Sequence, residues 1–596
     1  MRVVDYIVDR LYKEGAKDIF MLTGGGMMFL SDAVAVHPKM KALCNHHEQA
    51  CAMAAVGYAK MTEGIGVCFT STGCGATNAM TGLLDAWQDN LPVVFVSGQV
   101  KRKETTYNSD IPLRQIGTQE ANIIELVKPI TKYAVMVNEA DEIAYHLEKA
   151  LYLARTGRPG PVWIDVPMDV QGAEFNPKTA KKFNPSELKL TYKTIPDNKL
   201  ISRLEKMIKE AKRPVIIAGQ GIRLSGALKE FGEFAKKYQI PVVSPYLGIG
   251  TLPTGHKSYI GAIGTKGSRA GNLAMQNADL LLVLGSRLSV TAIGYEYDLF
   301  AREAKKVVVD IDPVEHKKPI VKIDLFINAD IKEFLKRFHP KSIGMEATWP
   351  KVCLDWKVRY PVCLPEYRKY KGEISMYNLV DTLSRLMDEK AVVVSDAGSA
   401  FYVTSQAVNL RGSQRYLTSG GQADMGFTLP AAIGAAVGKR GEVFGITGDG
   451  SFQLNIQELQ TIVHNKLPVK IFILNNNGYL SIRATQNKFF EGRLIGTGPE
   501  SGVSMPDFKK IASAYGIRHF KLKNSASLEK DLKQVLAYKG PVLCEVICPT
   551  NEPVVPAVSS MKRPDGKMVS RPLEDMLPFL DREEYRKNMI VKPVDD

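Results

Sequence analysis

The sequence has no apolar run near the roughly 20 residues needed to cross a bilayer, so nothing in it reads as a membrane-spanning helix. Its eight cysteines are scattered over 596 residues, and none forms a CxxC pair. They read as reduced, mostly buried thiols of a cytoplasmic protein. No short-period repeat is visible. The formal net charge is +15, yet Lys and Arg are spread along the chain, with no basic tail and no basic run interleaved with aromatics. A nucleic-acid interface is therefore not expected; a basic surface that meets anionic small ligands is. The first residues, MRVVDYIVDRLYKEGAKDIF, carry charges inside an apolar period and read as an amphipathic helix, not a signal peptide.

What is present is ordinary in amount and regular in order. Apolar residues make up 45% and charged residues 24%, as in a globular protein, and the length calls for several cores. Short apolar strands alternate with helical stretches: GVCFTS (66–71), PVVFVSG (92–98) and PVWIDVP (161–167), then RPVIIAGQG (213–221), ADLLLVLGSR (278–287) and KVVVDID (306–312). This predicts α/β architecture: three doubly wound parallel-sheet domains in series. They are placed at 1–170, 196–340 and 373–550. A polar, Pro-bearing linker is expected at 171–195, an irregular linker rich in Trp, Tyr and Pro at 341–372, and an arm at 551–596.

The most informative stretch is 448–480. A strand delivers Gly448-Asp449-Gly450, a helical segment is predicted from Ser451, and a second strand ends in Asn475-Asn476-Asn477-Gly478. Asp449 and Asn476 are 27 residues apart, but strand–helix–strand geometry brings them to neighbouring strand ends at the carboxyl edge of a sheet, where such folds bind ligands. A carboxylate, an amide oxygen and a backbone carbonyl suit Mg2+ shared with phosphates. A helix start there would aim N–H groups at the same anion. In the first domain, Glu48 opens a helix of small residues after Asn45-His46-His47. Partial burial there would raise its carboxyl pKa and suit it to proton exchange with a nitrogen heterocycle.

The stretch GDGSF…NNNG resembles the diphosphate- and Mg2+-binding motif of thiamine diphosphate (ThDP) enzymes, and the resemblance extends to about residue 550. HEQACAMAAVGYAK, GRPGPVWIDVPMDV and AKRPVIIAGQG are most similar to the acetolactate synthase branch. The resemblance implies metal ligation by Asp449, Asn476 and the Gly478 carbonyl, with Gly450, Ser451, Tyr479, Leu480, Ser399 and Ala400 around the diphosphate. It implies that Glu48 bonds N1′ of the aminopyrimidine and so promotes loss of the C2 proton. Thr72 and Asn78, in a turn similar to TSGPGATN, would lie beside the pyrimidine. SGGQADMGFTLPAAIGA resembles SGGLGTMGFGLPAAIGA, which makes Met425 the wedge between the two rings and the Ala423 carbonyl an acceptor for the 4′-amino group. Gln119 and Gly25 would line the substrate side. In the family two chains complete each site, so a homodimer or homotetramer is implied.

The middle domain resembles the one that holds FAD in synthases and pyruvate oxidases, with Gly219, Gly221, Gly285, Arg287, Asp312 and Asp330 at the matching positions. The same fold also occurs without flavin, and the branch's RFDDR run is Arg287-Leu288-Ser289-Val290-Thr291 here. The Trp that selects the acceptor is missing after Asn476, and the tail resembles proteins of surface-sugar biosynthesis. The implied activity is a carboligase that decarboxylates a small 2-keto acid and passes two carbons to a second keto acid or a nucleotide-linked keto sugar. Arg483, Lys488 and Arg493 could meet such a diphosphate, or else form a solvated charged face. A decarboxylase, a flavin-linked oxidase and an inactive regulatory paralogue are the alternatives.

Overall fold

A computed structural model describes residues 1–188, 192, 194–439, 441–562 and 565–594. Three six-stranded sheets follow one another, every neighbouring pair within them parallel. The first contains β1 (Asp18–Met21), β2 (Lys41–Cys44), β3 (Gly66–Thr70), β4 (Val93–Gln99), β5 (Tyr133–Met136) and β6 (Val162–Pro167). The second contains β7 (Pro214–Ala218), β8 (Val242–Ser244), β9 (Tyr259–Ala262), β10 (Leu280–Leu284), β11 (Lys305–Asp310) and β12 (Leu325–Asn328). The third contains β13 (Val392–Ser395), β14 (Arg415–Thr418), β15 (Val443–Gly448), β16 (Val469–Asn475), β17 (Arg518–Leu522) and β18 (Val542–Ile547). Continuous apolar strands such as LLLVL in β10 are buried at every residue, because helices cover both faces of a parallel sheet.

Strand order decides where ligands can bind. The first sheet runs β2-β1-β3-β4-β6-β5, and the third repeats that order as β14-β13-β15-β16-β18-β17. The middle sheet differs, running β12-β11-β10-β7-β8-β9. Each order reverses once near its centre, and the crevice at that reversal is where an open α/β sheet takes a ligand. In the first sheet the reversal lies between β1 and β3, below the turns at Gly24–Gly26 and Thr72–Gly75. In the third it lies between β13 and β15, below Asp396 and Asp449. In the middle sheet it lies between β7 and β10, below Gly219–Gly221 and Gly285.

The first and third units meet through two helices, Glu48–Thr62 and Thr428–Lys439, rich in Ala and Gly. A Cβ on Gly57 would lie 2.4 Å from the Ala431 carbonyl oxygen, and one on Gly434 would lie 1.9 Å from that of Ala54. Only glycine allows backbones this close. The contact places the carboxyl edges of the two outer sheets beside each other.

Two local expectations are corrected, and the arm is found docked. Residues 341–372 are not irregular throughout: Trp349–Arg359 is a helix, and Trp349, Cys353 and Trp356 are buried on one of its faces at i, i+4, i+7 spacing. The segment after Gly450 is a 3-10 turn, Ser451–Asn455, and the α-helix begins only at Glu458. The tail does not hang free. Arg269 donates to the carbonyls of Met576 and Pro578, Asn277 binds both Asn588 and the Ile590 N–H, and the Trp356 indole donates to Asn588. Glu574 is fully buried and accepts from Arg302 at 2.8 Å and Gln276 at 2.6 Å. Of the 171–195 linker, Phe175 and Ala180 pack into the first unit's core, while Lys189–Thr191 and Lys193 lie outside the described residues. Glu574→Ala strands Arg302 and is expected to cost roughly 3 kcal/mol. That is about a hundredfold in arm docking, measured as faster limited proteolysis of the tail while the rest of the chain stays resistant.

Candidate active site

The third sheet's switch point is built around two buried carboxylates. Asp449, at the end of β15, accepts the N–H groups of Gly450 (2.8 Å), Gly478 (3.0 Å) and Asn476 (3.1 Å). Burial pushes its carboxyl up to about 6 against these bonds. Asn476 is only 2% exposed, and its Oδ1 has no partner. A buried amide oxygen left open beside a buried carboxylate is the donor chemistry of a hard cation, so these residues fit Mg2+. Gly478 holds φ +130°, a value closed to other residues. Asp396, fully buried after β13, accepts from Thr447 Oγ1 (2.8 Å) and Ser451 Oγ (2.7 Å), and Ser451 Oγ accepts the Gly426 N–H at 2.8 Å. One carboxylate thus ties three turns together, and burial raises its pKa. The Tyr479 ring lies flat on Gly450, where a Cβ would come within 2.2 Å of it. Ser399 and Ala400 are buried in the first turn of the helix Gly398–Ala407, and Leu480 is buried beside Tyr479.

Arg483 faces neither a ligand nor solvent, the two readings its sequence context allows. It is buried, and its guanidinium donates to the carbonyls of Thr550 (2.6 Å), Asn477 (2.8 Å), Thr497 (2.9 Å) and Asn476 (3.4 Å). It is a clamp on the Asn475–Gly478 loop. Nothing in a helix-like run of polar residues distinguishes such a clamp from an exposed cation.

The first sheet supplies a second set. Glu48 is half-buried at the start of its helix and accepts from Asn78 Nδ2 at 3.0 Å. Gly75 passes so close that a Cβ there would lie 3.2 Å from Glu48 Oε1. The Thr72 hydroxyl donates to Gln99, whose amide bonds Asp165 (3.1 Å) and the Ala121 carbonyl (3.0 Å). Asp165 also accepts from Ser97 at 2.6 Å, and burial moves its carboxyl up to about 7. Sequence reasoning missed this network; a Gln at the end of an otherwise apolar strand was the available sign. Gln119 is exposed at φ +61°, its carbonyl pressed against Gly73. Its neighbour Glu120 holds the loop by accepting from Thr106 and Ile116 N–H groups. A Cβ on Gly25 would meet nothing within 4 Å, so this glycine borders open space.

Two contacts join the sets. Glu458 accepts from Asn45 Nδ2 (2.8 Å) and the His46 N–H (2.9 Å) just before Glu48. Asn455 reaches Gln49 and the Gly426 carbonyl. Among the described residues no hydrogen bond links Glu48 to Asp449, Asn476 or Gly478. Met425 is 42% exposed, and Ala423 takes φ +58°, the left-handed conformation that glycine adopts more readily.

Residues 1–126 match the N-terminal TPP binding domain of thiamine pyrophosphate enzymes, 201–338 the central domain, and 396–546 the C-terminal TPP binding domain. The chain is 34% identical to the acetolactate synthase large subunit of Lactococcus lactis, with 93% of each chain covered. It is 33% identical to the acetolactate synthase isozyme 1 large subunit of Escherichia coli, covering 93% of this chain and 95% of that one. With acetolactate synthase 2, chloroplastic, of Nicotiana tabacum the identity is 33%, covering 93% and 83%. The chain belongs to the thiamine diphosphate-dependent enzymes, in their acetolactate synthase-like branch.

In this ThDP enzyme the middle sheet's crevice holds a cavity of about 250 Å³, lined by Gly221, Gly285, Arg287 and Asp330 among others. Its glycines serve packing first: a Cβ on Gly219 would lie 2.1 Å from the Gly285 oxygen, and one on Gly221 would lie 2.6 Å from Gly285 Cα. Asp330 caps the helix Ile331–Leu335, and Asp312 pairs with Arg158 at 3.0 Å. Of the six positions matched to FAD, Arg287 alone offers an uncommitted side chain to the cavity. On the third sheet, Asn476→Ala is expected to leave the melting temperature of the cofactor-free chain unchanged or higher, because Oδ1 has no internal partner. The same change lowers Mg2+-dependent ThDP affinity at least about tenfold, one lost charge-assisted contact. Thermal shift with and without cofactor reads both.

Proposed function

We propose that this enzyme is a Mg2+-requiring carboligase that decarboxylates a 2-keto acid, pyruvate first among them, and transfers two carbons to a second carbonyl. The observation that carries the cofactor reading is the open, buried Oδ1 of Asn476 beside Asp449. Asp449, Asn476 and the Gly478 carbonyl would hold Mg2+, and the turns at Gly450–Ser451 and Gly398–Ala400 the diphosphate. Bound ThDP supplies the electron sink for losing CO2 and for making the new carbon–carbon bond. Glu48, oriented by Asn78, would exchange a proton with the pyrimidine of bound ThDP. The Ala423 carbonyl would accept from the 4′-amino group, and Met425 would pack against the two rings. Gln119 and Gly25 border the substrate.

Ligation is favoured over simple decarboxylation because a decarboxylase must deliver a proton to the two-carbon unit. The loop 101–120, which carries Gln119, contains no His. The acceptor is a second 2-keto acid or a nucleotide-linked keto sugar; with Arg483 committed internally, the exposed Lys488 and Arg493 remain of the three cations singled out for its diphosphate. Met425 is exposed and Glu48 has no bond to the Asp449 loop, which supports completion of each site by a second copy, in a homodimer or homotetramer. FAD is the candidate for the middle cavity, with Arg287 toward its phosphates; visible absorbance of the purified protein tests it. Cytoplasmic residence goes with this reading. The presence of Glu48, Asp449 and Asn476 together argues against an inactive paralogue.

An NMR time course with ThDP, Mg2+ and pyruvate tests the activity. Acetolactate is the expected product; if pyruvate persists, nucleotide-linked keto sugars are added as acceptors. Acetaldehyde as the sole product with every carbonyl offered would falsify ligation. Glu48→Gln is expected to lower turnover by about 10² or more, within the range for a lost proton-transfer group, while ThDP affinity changes less than about threefold. Unchanged turnover would remove Glu48 from the mechanism.

A further inference from the structure

Thr81, Asp85 and Asp89 recur at four-residue spacing along the helix Met80–Gln88 and its cap, so they share one face. The turn 419–424 lies along that face. Gly420 and Gly421 donate their N–H groups to the Asp89 carboxylate at 3.0 and 2.8 Å, and Gln422 Nε2 reaches toward the Thr81 carbonyl at 3.5 Å. Asp85 is enclosed between these two contacts. It is 0% exposed, and neither carboxyl oxygen accepts a hydrogen bond of ordinary geometry; the Ser419 hydroxyl is the polar group alongside it. Facing it is Asp424, 8% exposed, which accepts from Ser419 Oγ at 3.0 Å and from the Gln422 amide.

The charged groups facing this pair come from three elements. Lys60 comes from the helix Glu48–Thr62, Asp89 from the cap below Asp85, and Asp424 from the turn. Among the described residues Lys60 is the one cation there, and it is committed: its ammonium binds Asp89 and the Thr418 carbonyl (2.8 Å). Three carboxyls against one ammonium leave two acids unbalanced in a closed space. An ionised carboxylate buried without a partner costs several kcal/mol, and such a group takes up a proton instead. Burial raises both carboxyls, Asp424 up to about 6 and Asp85 well above the carboxylate range.

We propose that the Asp85–Asp424 cluster retains one proton and that this proton holds the Ala423–Met425 turn against the helix, making both acids positioning residues for ThDP. The positioning half rests on the reading given above for Ala423 and Met425. A protonated carboxyl removes one negative charge from the closed space and offers an O–H donor to the Ser419 oxygen. Losing the proton sets a second negative charge beside Asp89 and drives the turn outward. Ala423 and Met425 flank Asp424 directly, so the displacement reaches them. The segment that this turn resembles carries Thr at the place of Asp424, so the acid pair is a departure of this chain.

The test combines two measurements from about pH 5 to about pH 9 on the full chain, Asp424→Asn, Asp424→Thr and Asp85→Asn. Both carboxyls are raised by folding, so their contribution favours the fold at low pH and is lost as pH rises through the folded-state values. The melting temperature of the cofactor-free wild type is expected to fall with pH more steeply than that of any variant. ThDP–Mg2+ affinity of the wild type weakens by up to about tenfold per pH unit, the limit for one linked proton, and the variants flatten this slope. A common melting slope in all four proteins overturns proton retention. A flattened melting slope with an unchanged ThDP slope overturns positioning. Wild type that binds no ThDP at any pH sinks the cofactor reading and the positioning half with it, while the melting curves still decide whether the proton is retained.

Discussion

The contact on which the site depends is backbone against backbone. The helices Glu48–Thr62 and Thr428–Lys439 approach so closely that side chains at Gly57 and Gly434 would strike the opposing carbonyl oxygens. Larger residues there would push the first and third sheets apart and separate their carboxyl edges. Polar contacts between the outer units flank that approach: Glu458 with Asn45 and His46, Asn455 with Gln49, Arg415 with Glu63, and Asp89 with the N–H groups of Gly420 and Gly421.

Within each outer unit the chain uses a buried carboxylate as a tie for loops. Asp449 gathers three N–H groups, Asp396 two hydroxyls, and Asp165 a hydroxyl and an amide. Buried carboxylates are costly unless so satisfied, and each satisfied one fixes loops that would otherwise vary. Asp85 is the exception among the described residues: both of its buried oxygens lack a hydrogen bond of ordinary geometry.

The middle unit shows how a motif can be right in place and different in use. Gly219, Gly221 and Gly285 stand at the switch point, where a nucleotide-binding sheet would have them, yet their missing side chains are required by two strand ends packed on each other. Asp330 and Asp312 are likewise engaged by the chain itself. A cavity remains beside Arg287, so the unit can still take a ligand.

Much of the architecture was legible without coordinates. Short apolar strands separated by helical periods specify parallel sheets, since a strand covered on both faces must be apolar throughout, and Gly448–Gly450 with Asn475–Gly478 mark two strand ends of one crevice. The helix Trp349–Arg359 was hidden because its buried face carries bulky aromatics amid Pro and Lys. The role of Arg483 was hidden because a guanidinium reads the same whether it meets solvent or four carbonyls. What the sequence by itself determined was fold class, the two glycine-rich turns of each outer unit, and the residue types that can meet a metal and a diphosphate. Tertiary structure alone decided which oxygens remain open, which acids are dry, and which cation is already taken. Those properties are set by neighbours hundreds of residues away, and no local pattern encodes them.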